Sequence, residues 1–281
     1  MRNNQYLCSV KASNMVKWLI YPTVHLNENK ARETFANRWV VVTGASRGIG
    51  EALVRRLIAA HANLFLIARS EERLTALCTE AHEAGCEASF CAMDLRDKDK
   101  LEALCENLKQ SLPHVDYLFC NAGKSIHRNI IDATDRMHDY DRTIDVNYRA
   151  HVALSLALIP KLSESKGHII YTSSVSTLFP PAPGWSAYHA SKCAANTWYE
   201  TAHTELEKQH IVVQVAFMPL VHTDMSEANP AYRNLPAYTA DEAACQLLKL
   251  STTNRFAYKP WWARISAAIA MLFSPLVKLL Y

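Results

Sequence analysis

Glycine is scarce in this chain: 7 occur in 281 residues, so few loops can take a left-handed backbone without strain. The cysteines (Cys8, Cys78, Cys86, Cys91, Cys105, Cys120, Cys193 and Cys245) form no C-x-x-C pair, which argues against a zinc ribbon or a dithiol redox centre and fits a reducing, cytoplasmic compartment. An excess of one charge is also lacking. With 30 basic residues against 27 acidic ones and a net charge of +3, there is no basic stripe to neutralise a phosphate backbone, and nucleic acid is set aside as a partner. The apolar stretch Met15–Tyr21 is interrupted by Lys17 and is followed by no small-residue cleavage site, so no secretion signal is read. Near the other end, Ile265–Val277 contains Pro275 and falls short of the ~18–20 residues that span a bilayer. His127, His138, His151 and His222 lack metal-ligand spacing, and no metal is expected. Residues 1–35 carry no motif and read either as an arm against a partner subunit or as a poorly ordered extension.

What is present is an apolar content of 49%, enough for one large domain with a well-buried core. From Trp39 onward, β-rich apolar runs alternate with amphipathic helical patterns. Strands are expected at Trp39–Thr43, Asn63–Ala68, Glu87–Ala92, Tyr117–Cys120, His168–Ser173 and Val212–Phe217, and helices near 49–61, 71–84, 97–112, 135–162, 186–208 and 240–251. This alternation predicts an α/β fold, a doubly wound parallel sheet of the Rossmann type over residues 36–255, with its ligand site at the carboxyl ends of the strands.

Three of the few glycines crowd into one window. Gly44, Gly48 and Gly50, with Ser46, Arg47 and Ile49 between them, follow a strand and open a helix, where glycine permits close backbone approach to a pyrophosphate at the helix N-terminus. A dinucleotide is the expected ligand. Where NAD sites place a carboxylate for the ribose hydroxyl, this strand ends in Ala68-Arg69-Ser70. Arg69 and Arg47 would bind a 2′-phosphate through charge-assisted hydrogen bonds, which favours NADP(H). The competing reading of Arg69 is a solvated arginine paired with Glu71 or Glu72.

Tyr188 and Lys192 stand at i and i+4 on a helix beginning near Ser186, hence on one face. A phenol beside an ammonium makes a proton exchanger, because the cation stabilises the phenolate. Ser173-Ser174 closes the preceding strand, and Ser174 is taken as the hydroxyl that bonds the oxygen where negative charge develops, with Ser173 as the alternative.

Taken together, the glycine loop, Met93-Asp94-Leu95, Asn121-Ala122-Gly123, Asp145-Val146-Asn147, Ser173-Ser174 and Tyr188-x-x-x-Lys192 occur in the order found in the short-chain dehydrogenases/reductases, which the chain resembles over residues 37–249. The resemblance implies that Asp94 contacts the adenine, with Leu95 beside it. It also implies that Asn121, Ala122, Gly123 and Thr223 border the cofactor, and that Asn147 completes a tetrad with Ser174, Tyr188 and Lys192 through a structural water. A dimer or tetramer is implied as well. The chain departs from the family at Cys120, where an asparagine is common, at the extra Pro180, Pro181 and Pro183, and at Met218-Pro219-Leu220-Val221-His222-Thr223 in place of the usual Pro-Gly.

The segments Asn121 to Arg128, Asp135 to Thr143 and Met218 to Thr223 resemble the reductase domain of bacterial fatty acyl-CoA reductases, which implies reduction of a long-chain acyl-CoA thioester to the aldehyde. A keto-reductase for a lipid, steroid or other hydrophobic ketone uses the same tetrad, and a non-enzymatic NADP sensor is the rival class. Residues 223–238 are read as a substrate lid. Cys193 is read as a buried thiol with no covalent role. For the apolar tail, residues 256–281, two placements stay open: a helix in a membrane interface, through residues 259–281, or one packed on the protein's own pocket or another subunit.

Overall fold

Runs of β-branched and aromatic residues, each too short and too uniformly apolar for an amphipathic helix, build strands buried on both faces. In the computed structural model, which describes residues 17, 19–227 and 229–273, they are β1 (Trp39–Thr43), β2 (Asn63–Ala68), β3 (Ala88–Ala92), β4 (Tyr117–Cys120), β5 (His168–Ser174), β6 (Val212–Met218) and β7 (Ala257–Tyr258). They pair in the order β3-β2-β1-β4-β5-β6-β7, every neighbour parallel. The order reverses between β1 and β4, and the crevice at their carboxyl ends is where such sheets bind ligands.

Helices cover both faces. One side carries α1 (Glu28–Phe35), α2 (Gly48–Ala59), α3 (Glu71–Glu83) and a later helix, Ala240–Ser251. The other carries α4 (Lys98–Ser111), α6 (Ala150–Ser165) and α7 (Ser186–Leu206). Between α4 and α6 lies α5 (Met137–Ile144). The single long helix expected over 135–162 is interrupted: Asp145–Arg149 form a π-helical turn in which the Ala150 amide donates to the Asp145 carbonyl. Such wide turns cluster at functional sites, and this one holds Asn147.

Residues 1–35 are no detached arm where they are described. Phe35 is fully buried, its ring 4.8 Å from that of Tyr117, and Tyr21, Val24 and Leu26 pack on the same core. A domain boundary at 35/36 therefore cuts through a core contact. The boundary at 255/256 is also too early, because β7 is the seventh strand of the sheet. The helix Ala240–Ser251, α8, precedes β7, and α9 (Trp261–Leu272) follows it. The end of the apolar tail, 274–281, and Cys8 lie outside the described residues.

Candidate active site

The glycine loop is built for close approach. A Cβ on Gly50 would fall 2.0 Å from the Gly44 carbonyl oxygen, and Gly48, at φ +56°, lies against Thr223, whose Cγ2 would meet a Cβ at 3.1 Å. No side chain caps α2, so the amides of its first turn remain free to hold an anion, with Ser46, Arg47 and Ile49 around them. Thr43 ties this loop to the next strand. Its hydroxyl accepts from the amides of Asn121 and Ala122 at 2.9 and 3.0 Å, and the Asn121 side chain reaches the Thr43 carbonyl at 3.4 Å. Gly123 follows directly, with Asn147 Oδ1 and Lys192 Nζ nearest to it.

At the adenosine end, Asp94 is gripped by Arg96, whose guanidinium reaches one carboxylate oxygen at 2.6 Å. That hydrogen bond outweighs partial burial and, with Arg69 nearby, holds the Asp94 carboxyl below its usual range. Leu95 is buried behind it. Arg69 is exposed at the end of β2. Arg73 of α3 reaches the Ser46 carbonyl at 3.4 Å and brings a further guanidinium to this corner. Arg47 instead lies 4.0 Å from Asp224, both side chains more than half exposed, a pairing weak enough to leave it free for a ligand. Burial and the neighbouring Arg142, Arg96 and Arg69 push the Lys124 ammonium below its usual value, so this mouth is electropositive. The cradle, the open helix end and the cations fit a phosphorylated dinucleotide.

Tyr188, Lys192 and Asn147 converge beneath. Lys192 is 4% exposed, donates to the Thr172 carbonyl at 2.8 Å and lies 4.7 Å from the centroid of the Tyr171 ring. Asn147 is fully buried: Oδ1 accepts from the Lys124 amide at 2.8 Å, and Nδ2 donates to the Lys124 carbonyl and to Ser191 Oγ, each at 2.9 Å. Its own carbonyl accepts from the Tyr171 hydroxyl at 3.1 Å. The two serines part company. Ser173 donates to Asn196 Oδ1 at 2.6 Å, whereas Ser174 accepts from the Ser176 amide at 3.2 Å, lies 2.9 Å from the Ser176 hydroxyl, and is near enough to the Tyr188 phenol to favour its ionised form.

Electrostatics separate the pair that the sequence joins. Burial raises the Tyr188 phenol, opposed by Ser174, and burial pushes the Lys192 ammonium down to about 7, opposed by Cys120. The expectation that Lys192 lowers the phenol is thus reversed in the protein alone, because removing both groups from water favours both neutral forms. A protonated phenol is the acid that a reduction requires. Below the pair, burial with Lys192 nearby pushes His151 down to about 3, and its Nδ1 has no hydrogen-bond partner among the described residues. Burial takes the Cys120 thiol up to about 12, an inert replacement for the asparagine common there. Cys193, expected to be buried, is exposed on the outer side of α7, since the position after an inward lysine turns about 100° away.

An aromatic wall that the sequence reading missed stands over Tyr188. Trp185 meets the Tyr188 ring edge-on at 5.8 Å, the His127 ring at 4.7 Å, and the Tyr232 ring, within residues 223–238, in a near-parallel stack at 6.1 Å. Of residues 223–238, Asp224–Glu227 form one helical turn and Pro230–Tyr232 a 3-10 turn, and the segment is closed at its base where Val221 bridges Tyr238. Behind the wall, Asp139, 3% exposed, receives Arg128 Nε at 3.0 Å and Arg136 Nε at 3.2 Å, with Arg142 3.8 Å away. Burial works against this carboxylate, but Arg136 and Arg128 outweigh it and hold its pKa low. Among the described residues no cluster of histidine, cysteine or carboxylate side chains suits a metal ion.

This arrangement meets its counterparts among known proteins. Residues 38–234 match the sequence pattern of the short chain dehydrogenases. The chain belongs to that family. It is 36% identical over 214 residues to a fatty acyl-CoA reductase of Acinetobacter baylyi, covering 76% of this chain and 72% of the relative. With a fatty acyl-CoA reductase of Mycobacterium tuberculosis it shares 33% identity over 236 residues, 84% of this chain and 79% of the other. Among solved structures, a metagenomic short-chain oxidoreductase in complex with NADP superposes with a TM-score of 0.66 at 30% identity, over 78% of this chain and 92% of that one. A short-chain dehydrogenase is an oxidoreductase, and the alternation of apolar runs expected from the sequence is its Rossmann-type sheet.

Proposed function

We propose that the protein uses NADPH to reduce an apolar carbonyl, and that its substrate is a long-chain fatty acyl-CoA thioester reduced to the aldehyde. The observation that carries this reading is the half-buried Tyr188, its phenol held protonated beside Ser174 and flanked by Trp185, which stacks on Tyr232. The likeness to two fatty acyl-CoA reductases over most of both chains supports the thioester, and the NADP-bound relative supports the cofactor together with Arg69, Arg73 and Lys124.

When bound, NADPH supplies the hydride. The loop from Gly44 to Gly50 and the first turn of α2 would hold its pyrophosphate, Arg69 and Arg73, with Arg47 free on the loop, would take the 2′-phosphate, and Lys192 beside Gly123 would orient the ribose. Ser174 donates a hydrogen bond to the carbonyl oxygen as negative charge builds there, and Tyr188 gives that oxygen its proton. A thioester so treated becomes a hemithioacetal, whose hydroxyl proton passes by way of Tyr188 to the departing sulfur as the C–S bond breaks, leaving aldehyde and thiol. Trp185, His127 and Tyr232 shield the reacting carbon from water on the chain-binding side.

The test is NADPH oxidation with palmitoyl-CoA alongside a panel of hydrophobic ketones, for wild type and Tyr188→Phe. Formation of aldehyde and free CoA by the wild type, lost in the variant, establishes the thioester reading. Turnover of ketones alone retains Tyr188 as acid and discards the thioester, and tight NADPH binding without turnover favours a sensor.

A further inference from the structure

Helix α9 has its apolar residues on the wrong side. A surface helix ordinarily turns large apolar side chains inward and polar ones outward. Here Ala263 is fully buried and Ala267 lines a cavity beneath, while Trp261, Ile265, Ile269 and Leu272 form one stripe on the solvent side, 51%, 58%, 51% and 79% exposed. These positions are spaced by four, four and three residues, so they share a face. Met271 and Phe273 flank the stripe and Leu19 adjoins it, all exposed. The helix is nonetheless firmly seated: Trp261 Nε1 donates to the Leu19 carbonyl and Trp262 Nε1 to the Ile20 carbonyl, each at 3.0 Å. Satisfying the indole N–H groups leaves the Trp261 ring free to meet an apolar medium.

We propose that α9 docks the protein on an anionic lipid surface, lying in the plane of the interface with the stripe Trp261, Ile265, Ile269 and Leu272 inserted. Charge selects this occupant. Arg264 is exposed beside the stripe and residues 256–281 contain no aspartate or glutamate, so anionic headgroups complement its rim. A second copy of the chain does not: a two-fold contact through this helix would oppose like charges with no carboxylate in the segment to pair them. Length sets the orientation. A helix of 12 residues extends about 18 Å, well short of the ~30 Å hydrocarbon core, and among the described residues no helix is long and apolar enough to cross a membrane.

The location gives the docking a use. Helix α9 lies against the turn Val175–Leu178, which directly follows Ser174, and a cavity of about 390 Å³ between them is lined by Leu178, Ala257, Lys259, Ala263, Arg264 and Ala267. An apolar substrate dissolved in the bilayer would thus meet the protein on the flank that carries the turn after Ser174. The docking does not depend on which carbonyl is reduced.

The experiment is flotation of the full-length chain with vesicles of phosphatidylglycerol and phosphatidylethanolamine, and with vesicles of phosphatidylcholine alone. It compares wild type with Ile265→Asn/Ile269→Asn and with Arg264→Glu, after circular dichroism has shown each variant folded and light scattering without lipid has given its oligomeric state. Wild type should float with the anionic vesicles, and both variants should partition roughly tenfold or more weakly. Wild type left unbound, or variants that float as well as wild type, would overturn the proposal. So would a wild-type dimer that Ile265→Asn/Ile269→Asn converts to monomer, since a second copy would then own the face.

Discussion

Gly184 leaves room for His127: a Cβ on the glycine would lie 2.4 Å from the imidazole Nε2, and the glycine itself sits at φ +77°. Because the His127 ring in turn packs at a tilt against Trp185, one missing side chain sets the wall over Tyr188. Gly184→Ala should therefore shift Trp185 and reduce kcat/KM for the apolar substrate by about 10–100-fold, as small misplacements near a reacting centre do. The KM for NADPH should hardly move, which steady-state kinetics with each substrate varied in turn would show.

Selectivity between cofactors should rest on Arg69 and Arg73. Each charge-assisted hydrogen bond to the 2′-phosphate contributes ~1.5–3 kcal/mol, so Arg69→Ala should raise the NADPH KM by about 10–100-fold and leave that for NADH nearly unchanged. Arg73→Ala should act in the same direction and less strongly, because Arg73 also supports the loop through the Ser46 carbonyl. Equal losses with both cofactors would show that the arginines shape the loop and do not read the phosphate.

Lys192 should make stability depend on pH. Its folded pKa, about 7, lies below the ordinary lysine value, so between the two the unfolded chain binds the extra proton and stability rises with pH. Below about 7 the folded protein carries a buried charge that Lys192→Met lacks. The variant should therefore melt at higher temperature near neutral pH, and the difference should shrink as pH is raised toward 10. A gap in Tm that stays constant from pH 6 to 10 would contradict the burial of an ionisable amine.

Asp139 should matter more than any one of its arginines. Asp139→Asn leaves Arg128, Arg136 and Arg142 facing one another around a neutral group and should cost about 1–3 kcal/mol in urea unfolding, less than the full penalty for a buried unpaired charge because the three arginines are partly exposed. Arg142→Gln, at the longest distance and with its own side chain 45% exposed, should cost below about 1 kcal/mol.

The sequence carried most of the frame because parallel strands are read from short apolar runs, and these end where glycine, proline or charge interrupts them. β5 and β6 each extend one residue beyond expectation, to Ser174 and Met218, whose Cα positions are paired. β7 escaped notice because a strand of two residues, Ala257 and Tyr258, has no period to detect. Residues fixed by local spacing, such as Tyr188 with Lys192, were legible for the same reason. Thr43, Arg73, His127 and Trp185 were not, since each acquires its role through a contact distant in sequence: Thr43 with Asn121, Arg73 with Ser46, and His127 and Trp185 with each other. The direction in which burial moves the Tyr188 phenol was not legible, because spacing shows which groups adjoin and says nothing of how much water reaches them.

The wide turn at Asp145–Arg149 acts as an index mark in the longest stretch of helix. One additional residue in that turn advances everything after it by about 100°, so Tyr140 and Thr143 point to α7 while His151, Leu154 and Leu158 point to the sheet. Removing a single residue there would do more than shorten a loop: it would rotate α6 out of phase with its own core and withdraw Asn147 from the carbonyl and amide of Lys124.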